Sequence, residues 1–404
     1  MKRSPLAPDS FPLLAPIKGV GLATVSTGLK YQGRDDLLLM QFDEGTSLAG
    51  VFTKSATASA PVLTSRKVAE NGTVRAILVN AGNANAFTGA LGEATVHACT
   101  TALSDVLSIP AEHIATASTG VIGEPLDPDD ITGFFHALGD QNGTASWQQA
   151  ANAIRTTDTF EKGASVTLTI SETEIGISGI AKGSGMIAPD MATMLSFIAT
   201  DAGIAQDKLQ AMLSRLTAQS FNAITVDSDT STSDSVYLAA TGQSATLESD
   251  EELAQFEAGL REVMISLATQ IVRDGEGATK LITIDVSGAA DDASAHRIGL
   301  AIGNSPLVKT AIAGEDANWG RIVMAVGKAG EPADRDKLAI AIGGVAITHN
   351  GQRRDDYDET PVAAHMSGDE IHIEVDVGIK DGRARIWTCD LTHGYITINA
   401  DYRS

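Results

Sequence analysis

The chain has 404 residues, enough for two domains at about 100–200 residues each. Its 43% hydrophobic and 20% charged residues are typical of a globular protein and exclude wholesale disorder. The 29 Lys and Arg against 51 Asp and Glu give a formal charge of −22, which argues against nucleic acids and anionic membranes as partners. An anionic substrate must therefore be held by a local basic group.

The amino terminus and the cysteines favour a cytoplasmic protein. Pro5, Asp9 and Pro12 interrupt the first 18 residues, so we expect no secretory signal. No run approaches the about 18 apolar residues of a transmembrane helix. Cys99 and Cys389 lie far apart in no metal-like spacing, which predicts buried free thiols in a reducing cytosol.

Strands and helices alternate loosely through the first half of the chain. Apolar runs, their periodicity and the prolines predict a strand at 74–80, helices at 93–109, 128–138 and 146–155, and a hairpin of strands at 166–170 and 174–180. The clearest helix follows Ser249, which forms a capping-box pattern with Glu252. Its apolar stripe at 3.6-residue spacing predicts a helix facing the core, with Leu253, Phe256, Leu260, Val263, Met264, Leu267 and Ile271.

Strand patterns dominate the rest of the chain. The predicted strands are 281–286, 322–326, 338–347, 370–377, 384–390 and 395–399. The change of pattern near residue 280 predicts a domain boundary there.

Common catalytic and metal-binding motifs are missing from the sequence. The eight histidines have no metal-ligand spacing and no G-x-S-x-G motif is present, although a triad formed only in space stays open. Asp227, Asp229 and Asp234 have the spacing of a calcium loop. Thr232 replaces the glycine of such a loop and Leu238 its closing glutamate, so we predict a solvated or hydrogen-bonded acidic turn.

The segment 182–197, KGSGMIAPDMATMLSF, is hard to explain by structure alone. Thr193 follows the small Ala192, and a hydroxyl in that position is what self-cleavage by an N→O acyl shift requires. Cleavage would free the Thr193 α-amine, whose pKa of about 7.7–8.0 suits it as a base for its own hydroxyl. The alternative is that Thr193 caps or begins a buried element.

Further blocks in chain order accompany this segment: 80–89 (NAGNANAFTG), 118–123 (STGVIG), 156–159 (TTDT), 220–232 (SFNAITVDSDTST), 273–280 (RDGEGATK), 314–321 (GEDANWGR) and 399–404 (NADYRS). Together with 182–196 they resemble the ornithine acetyltransferase family, the autoprocessed threonine acyltransferases of arginine biosynthesis. Because the blocks span almost the whole chain, the resemblance does not depend on one loop.

The resemblance implies that Thr193 is the nucleophile and that the chain cleaves itself between Ala192 and Thr193, giving an α chain of 1–192 and a β chain of 193–404. It implies transfer of the acetyl group from N2-acetylornithine to Thr193 and then to glutamate, with ping-pong kinetics. No metal or organic cofactor is implied. The motifs leave open whether acetyl-CoA is a second acetyl donor.

The resemblance also implies roles for individual residues. Thr119 and Gly120 match the oxyanion hole. The positions that match substrate-binding residues are Thr156, Lys182, Thr193, Glu276, Asn399 and Ser404. We hypothesise that Lys182 pairs with the substrate α-carboxylate and that Glu276 receives the δ-ammonium of ornithine. Asn399 and Ser404 would bring the carboxyl terminus to the active site.

The fold implied by the resemblance is an α/β fold with mixed sheets packed between helices. We expect a catalytic sandwich domain at 1–280, a smaller C-terminal α/β domain at 281–404, and a heterotetramer of two α and two β chains. Two other functions remain open. One is a self-cleaving amidase or aminopeptidase that transfers the acyl group to water, and the other is a non-catalytic binding protein that keeps the fold.

Overall fold

The computed structural model describes residues 2–188 and 194–400, which divide into two compact units. The sandwich unit contains residues 8–188, 194–221 and 229–271. The C-terminal unit contains residues 2–7, 222–228 and 272–400. The domain boundary expected near residue 280 remains a prediction.

Two sheets form the sandwich unit. The first has the strand order β1 (Val20–Val25), β2 (Leu37–Phe42), β4 (Ala76–Asn83), β5 (Ile114–Val121). The second has the order β3 (Ser47–Phe52), β9 (Ser235–Ala240), β8 (Leu195–Thr200), β7 (Thr173–Lys182), β6 (Lys162–Ile170). Neighbours are antiparallel except for the parallel pairs β4–β5 and β8–β9, so both sheets are mixed.

The helices that begin in this unit are α1 (Ala60–Asn71), α2 (Gly89–Leu107), α3 (Asp129–Thr132), α4 (Phe135–Asp140), α5 (Trp147–Ala153), α6 (Gln206–Ala218) and α7 (Asp250–Arg273), with short 3₁₀ turns at Ala111–His113 and Phe221–Ala223. One helix predicted at 128–138 is two helices, α3 and α4, with Gly133 between them. Glycine is a poor residue for a helix interior, which favours the break.

The main core lies between the two sheets. Met40 and Val79 of the first sheet belong to one buried cluster with Phe197 and Tyr237 of the second. The rings of Phe197 and Tyr237 stack with centroids 5.3 Å apart. A second cluster lies on the other face of the first sheet and includes Leu103 of α2.

Helix α7 has the cap and the buried face that its sequence predicts. The Glu252 backbone N–H donates to Ser249 Oγ at 3.3 Å, and the Ser249 N–H donates to Glu252 Oε2 at 3.1 Å. Every residue of the predicted stripe is 7% exposed or less. A Cβ at Gly259 would lie 2.8 Å from Leu168 of β6, so this glycine allows the helix to approach the second sheet. The expected fold of mixed sheets between helices is confirmed.

The hairpin predicted at 166–180 is also confirmed. Strands β6 and β7 are antiparallel, and Ile170 pairs with Thr173 across a two-residue turn. Ser171 and Glu172 have φ of +47° and +64°, the left-handed conformations of the tight turn that suits the twist of paired strands.

One mixed sheet forms the centre of the C-terminal unit. Its strand order is β13 (Gln352–Arg353), β12 (Val345–His349), β11 (Ala339–Ile342), β14 (Glu370–Asp376), β10 (Leu281–Ala289), β15 (Gly382–Cys389). Its helices are α8 (Asp292–Gly303), α9 (Pro306–Ala313), α10 (Trp319–Gly327), α11 (Thr360–Met366) and α12 (His393–Asn399). The single strand predicted at 338–347 is the β11–β12 hairpin, which turns at Gly343 and Gly344, both with positive φ.

The strand predicted at 322–326 is wrong, because this segment lies in helix α10. Ile322, Ala325 and Val326 are buried, whereas Val323 and Met324 are each 38% exposed. Buried residues at i, i+3 and i+4 are typical of a helix. A short run of apolar residues does not distinguish a strand from a helix by composition alone.

The strand predicted at 395–399 is wrong as well, because it lies in helix α12. The Gly394 N–H donates to the side chain of the N-cap residue Thr392 at 3.0 Å. The Thr397 hydroxyl donates to the carbonyl of His393, also at 3.0 Å. None of the described α12 residues is buried. The segment therefore lacks the buried face that a strand in a sheet would have.

No helix within 2–188 or 194–400 combines the length and apolar character needed to cross a lipid bilayer.

Candidate active site

Strand ends from both sheets of the sandwich unit meet at the ammonium group of Lys182. Lys182 ends β7, Thr119 lies near the end of β5, and each is 2% exposed. Lys182 Nζ donates to Thr119 Oγ1 at 3.2 Å and to Thr156 Oγ1 at 2.8 Å. The fold therefore brings together three of the predicted site residues around one positive charge.

Glycines allow the backbone to approach closely beside Thr119. Gly120 pairs with Gly82 of the parallel strand β4 and has a φ of +130°. A Cβ at Gly120 would lie 2.3 Å from the Gly82 carbonyl carbon, closer than any side chain permits. Both the conformation and the space at this position therefore require glycine.

A fully buried carboxylate supports these residues. Asp158 Oδ1 accepts hydrogen bonds from Lys162 Nζ at 2.7 Å and from the Gly183 N–H at 2.6 Å. Asp158 Oδ2 accepts from the Thr156 N–H at 3.1 Å and lies 4.0 Å from Lys182 Nζ. The Asp158 side chain thus fixes the backbone on both sides of the site, in the loop before β6 and at the end of β7.

Asp158 is ionised despite its burial. Desolvation alone would raise the pKa of this carboxyl group, but the charges of Lys162 and Lys182 and the hydrogen bonds from Lys162 and Gly183 outweigh it. The pKa of Asp158 is therefore well below its ordinary value. Since a lowered folded-state pKa stabilises the protein above the unfolded pKa, this contribution is lost only as the pH falls through the folded value.

A second buried carboxyl group holds the residue that follows Thr193. Asp234 Oδ1 accepts the Met194 N–H at 2.8 Å, and the Ser235 N–H donates to the Met194 carbonyl at 3.1 Å. Asp234 is 0% exposed, and burial raises its pKa well above the ordinary value against the opposing effects of the Met194 N–H, Lys182 and the Ser231 N–H. This member of the predicted acidic turn is thus buried and hydrogen-bonded rather than solvated.

The predicted cleavage residues Ala192 and Thr193 lie outside the described residues, as does the predicted binding residue Ser404. The description resumes at Met194, directly after the predicted nucleophile. Both the N–H and the carbonyl of Met194 are hydrogen-bonded, which fixes the backbone where the chain enters β8.

Two more predicted binding residues contact each other in the C-terminal unit. Asn399, at the end of α12, donates from Nδ2 to Glu276 Oε2 at 2.8 Å. The Thr392 hydroxyl donates to the carbonyl of Gly277 at 2.6 Å and ties the loop of Glu276 to the start of the same helix. A Cβ at Gly277 would lie 2.4 Å from the Tyr395 nitrogen, so this loop also requires a glycine.

Metal-binding and thiol chemistry are not indicated in the part of the chain that the structure describes. No group of three or more His, Cys, Asp or Glu side chains there could hold a metal ion. Cys99 and Cys389 are buried free thiols, as predicted. Burial raises the pKa of Cys99 to about 12, which keeps this thiol protonated and unreactive.

Sequence reasoning did not single out Asp158 or Lys162. Asp158 belongs to the block 156–159, and its place in a block that resembles the family was the one sequence feature that could have pointed to it. The four-residue spacing of Asp158 and Lys162 resembles a helical surface pair, whereas Lys162 begins strand β6 and both side chains are 0% exposed. Their importance becomes visible only once burial is known.

Comparison with known proteins identifies the family. A model of the ArgJ family matches residues 21–404. The chain is 56% identical to the arginine biosynthesis bifunctional protein ArgJ of Ruegeria pomeroyi, over 100% of this chain and 99% of that protein. It is 54% identical to the ArgJ protein of Gluconobacter oxydans, over 100% and 96% of the two chains.

A solved structure agrees with these matches. The crystal structure of the arginine biosynthesis bifunctional protein ArgJ from Bacillus halodurans has 44% sequence identity and a TM-score of 0.50, and the match covers 52% of this chain and 100% of that chain. The predicted membership of an acyltransferase family of arginine biosynthesis is confirmed, and this chain belongs to the ArgJ family.

Proposed function

We propose that this protein transfers the acetyl group of N2-acetylornithine to glutamate through an acetyl ester of Thr193, releasing ornithine and N-acetylglutamate. Membership of the ArgJ family supports the reaction class. The observation that carries the proposal is the convergence of Thr119 and Thr156 on Lys182, in a unit that also fixes the backbone of Met194 next to the nucleophile.

The nucleophile is generated by self-cleavage. The Thr193 hydroxyl adds to the Ala192 carbonyl, its proton passes to the Thr193 nitrogen, and the peptide C–N bond breaks to leave an ester. This bond cleavage frees the α-amine of Thr193, and water then hydrolyses the ester to give the Ala192 carboxylate and the free Thr193 hydroxyl. The resemblance of residues 182–196 to the autoprocessed acyltransferases and the membership of the ArgJ family support this step.

The freed amine is the general base for acetyl transfer. Thr193 Oγ attacks the acetyl carbonyl as its proton passes to the amine, and the acetyl C–N bond breaks as that proton reaches the departing ornithine nitrogen. The α-amine of glutamate then attacks the ester carbonyl, and the ester C–O bond breaks. The proton that glutamate loses returns to Thr193 Oγ and restores the hydroxyl. The Thr119 hydroxyl and the Gly120 N–H stabilise the oxyanion, each contributing about 10²–10³ in rate.

Lys182 supplies the local positive charge that an anionic substrate needs in a protein of formal charge −22. N-acetylornithine and glutamate both carry an α-carboxylate, so one ammonium group serves both half-reactions. Thr156 accepts a hydrogen bond from Lys182 Nζ and thereby holds this ammonium in place. The resemblance to the family also assigns substrate-binding roles to Glu276, Asn399 and Ser404.

Glu276→Gln tests the proposed recognition of the ornithine δ-ammonium. The variant keeps the size of the side chain and an oxygen for Asn399 Nδ2, but it loses the negative charge. We expect the KM for N-acetylornithine to rise about 10–100-fold, the effect of losing a charge-assisted hydrogen bond. The exposed Glu374→Gln makes the same charge change in β14 and serves as the control. An unchanged KM would rule out the pairing.

The reaction itself is tested by measuring ornithine release from N-acetylornithine with and without glutamate. We expect release at a steady rate only when glutamate is present, with one N-acetylglutamate formed for each ornithine. Equal release in both samples would instead indicate an amidase that transfers the acetyl group to water. Glutamate acetylation from acetyl-CoA, assayed in parallel, shows whether this thioester is a second donor.

We infer that the processed enzyme is a cytoplasmic heterotetramer of two α and two β chains that needs no metal or organic cofactor. Membership of the ArgJ family supports this inference. Native mass spectrometry of the purified protein, followed by denaturation, gives the number of α and β chains directly. Activity after dialysis against a chelator checks the expected independence from metal ions.

A further inference from the structure

A fully buried ion pair lies next to the proposed substrate site and has no part in the proposed chemistry. The side chains of Asp158 and Lys162 are 0% exposed and join at 2.7 Å. We propose that Lys162 is a positioning residue: it neutralises Asp158, so that Lys182 is directed to Thr156, Thr119 and the carboxylate of the substrate. This inference rests on the proposed function, because it concerns how the substrate carboxylate is bound.

The two oxygens of Asp158 have different partners. Oδ1 accepts from Lys162 Nζ and from the Gly183 N–H, whereas Oδ2 accepts from the Thr156 N–H. Lys182 Nζ lies 4.0 Å from Oδ2, beyond hydrogen-bond distance. Lys182 instead donates to the two threonine hydroxyls at 2.8 and 3.2 Å.

The pairing of Asp158 with Lys162, and of Lys182 with the two threonines, depends on the charge of Lys162. A buried carboxylate needs a counter-charge, because its desolvation is otherwise uncompensated. If Lys162 is removed, the ammonium group of Lys182 still lies 4.0 Å from Asp158 Oδ2. A shift of about 1 Å would bring Lys182 Nζ to the length of a charge-assisted hydrogen bond with Asp158. Lys182 would then be the counter-ion of Asp158, and its attraction for a substrate carboxylate would be largely lost.

The expected defect is therefore in substrate binding. Both substrates present a carboxylate, so both KM values should rise together. The Thr193 nucleophile and the oxyanion donors remain, so kcat should change much less. Self-cleavage involves no substrate carboxylate and should still yield two chains. A role of Lys162 in fold stability alone would lower the melting temperature and leave both KM values unchanged.

Lys162→Met in the full chain separates these roles. We expect the KM for N-acetylornithine and the KM for glutamate each to rise at least about 10-fold, with kcat within about threefold of the unsubstituted enzyme and two chains by intact mass. The matched control is Lys309→Met, which removes another buried lysine, 3% exposed, whose Nζ donates to Thr388 Oγ1 at 2.9 Å. Unchanged KM values in Lys162→Met would overturn the proposal.

A double variant keeps the proposal testable even if Lys162→Met does not fold. Asp158→Asn with Lys162→Met removes both charges, a replacement that buried pairs commonly tolerate. The double variant is compared with Asp158→Asn alone, because Asp158 itself fixes the backbone at Thr156 and Gly183. With no carboxylate for Lys162 to neutralise, adding Lys162→Met to Asp158→Asn should change both KM values by less than about threefold. A further rise of about 10-fold or more would overturn the proposal. Failure of the unsubstituted enzyme to acetylate glutamate would instead refute the proposed function.

Discussion

Thr193→Ala is expected to give a single uncleaved chain that transfers no acetyl group. Alanine has no hydroxyl to add to the Ala192 carbonyl, so the N→O acyl shift cannot begin. It also cannot form the acetyl ester, and the α-amine that acts as base is never released. Intact mass should show one species in place of two fragments, and transfer activity should fall by at least about 10³-fold.

Two further variants make this result specific to the hydroxyl group. Thr193→Ser retains a hydroxyl and should still cleave and transfer, with altered rates. Thr101→Ala, at an exposed position of α2, should cleave and react like the unsubstituted chain. If Thr193→Ala were recovered as two chains with activity, neither the cleavage position nor the nucleophile could be as proposed.

Local sequence patterns predicted the elements that have strong periodicity or distinct caps. Helix α7 has both a seven-residue apolar stripe and the reciprocal bonds of Ser249 and Glu252, and its position was confirmed. Helices α10 and α12 were predicted as strands because each contains a short run of β-branched residues. In α10 the burial of Ile322 and Val326 decides the outcome, which is tertiary information that a five-residue window does not contain.

In the candidate site, too, some features could be predicted from the sequence and others could not. Thr119, Thr156 and Lys182 could be predicted because each lies in a block that resembles the family, and the structure brings all three together. The charge states of the neighbouring carboxyl groups could not be predicted. Asp158 and Asp234 have the same side chain and are both buried. Two nearby lysines lower the pKa of Asp158, whereas desolvation dominates at Asp234.

Gly120→Ala is expected to damage both self-cleavage and acetyl transfer. The new Cβ would lie 2.3, 2.5 and 2.7 Å from the carbonyl carbon, the oxygen and the Cα of Gly82. These are backbone atoms of the paired strand, so no side-chain rotation relieves the contact, and β5 must separate from β4 at this pair. The separation moves Thr119 and the Gly120 N–H together, and loss of an oxyanion donor costs about 10²–10³ in rate.

Gly123→Ala distinguishes this steric effect from backbone strain. Gly123 also has a positive φ, +86°, but a Cβ there would meet no atom within 4 Å. The control therefore carries a comparable conformational cost of about 1 kcal/mol without the clash. We expect Gly123→Ala to melt slightly earlier yet cleave and transfer normally, whereas Gly120→Ala accumulates uncleaved chain. Equal behaviour of the two variants would mean that the close approach of Gly120 to Gly82 is not what sets the geometry of the oxyanion hole.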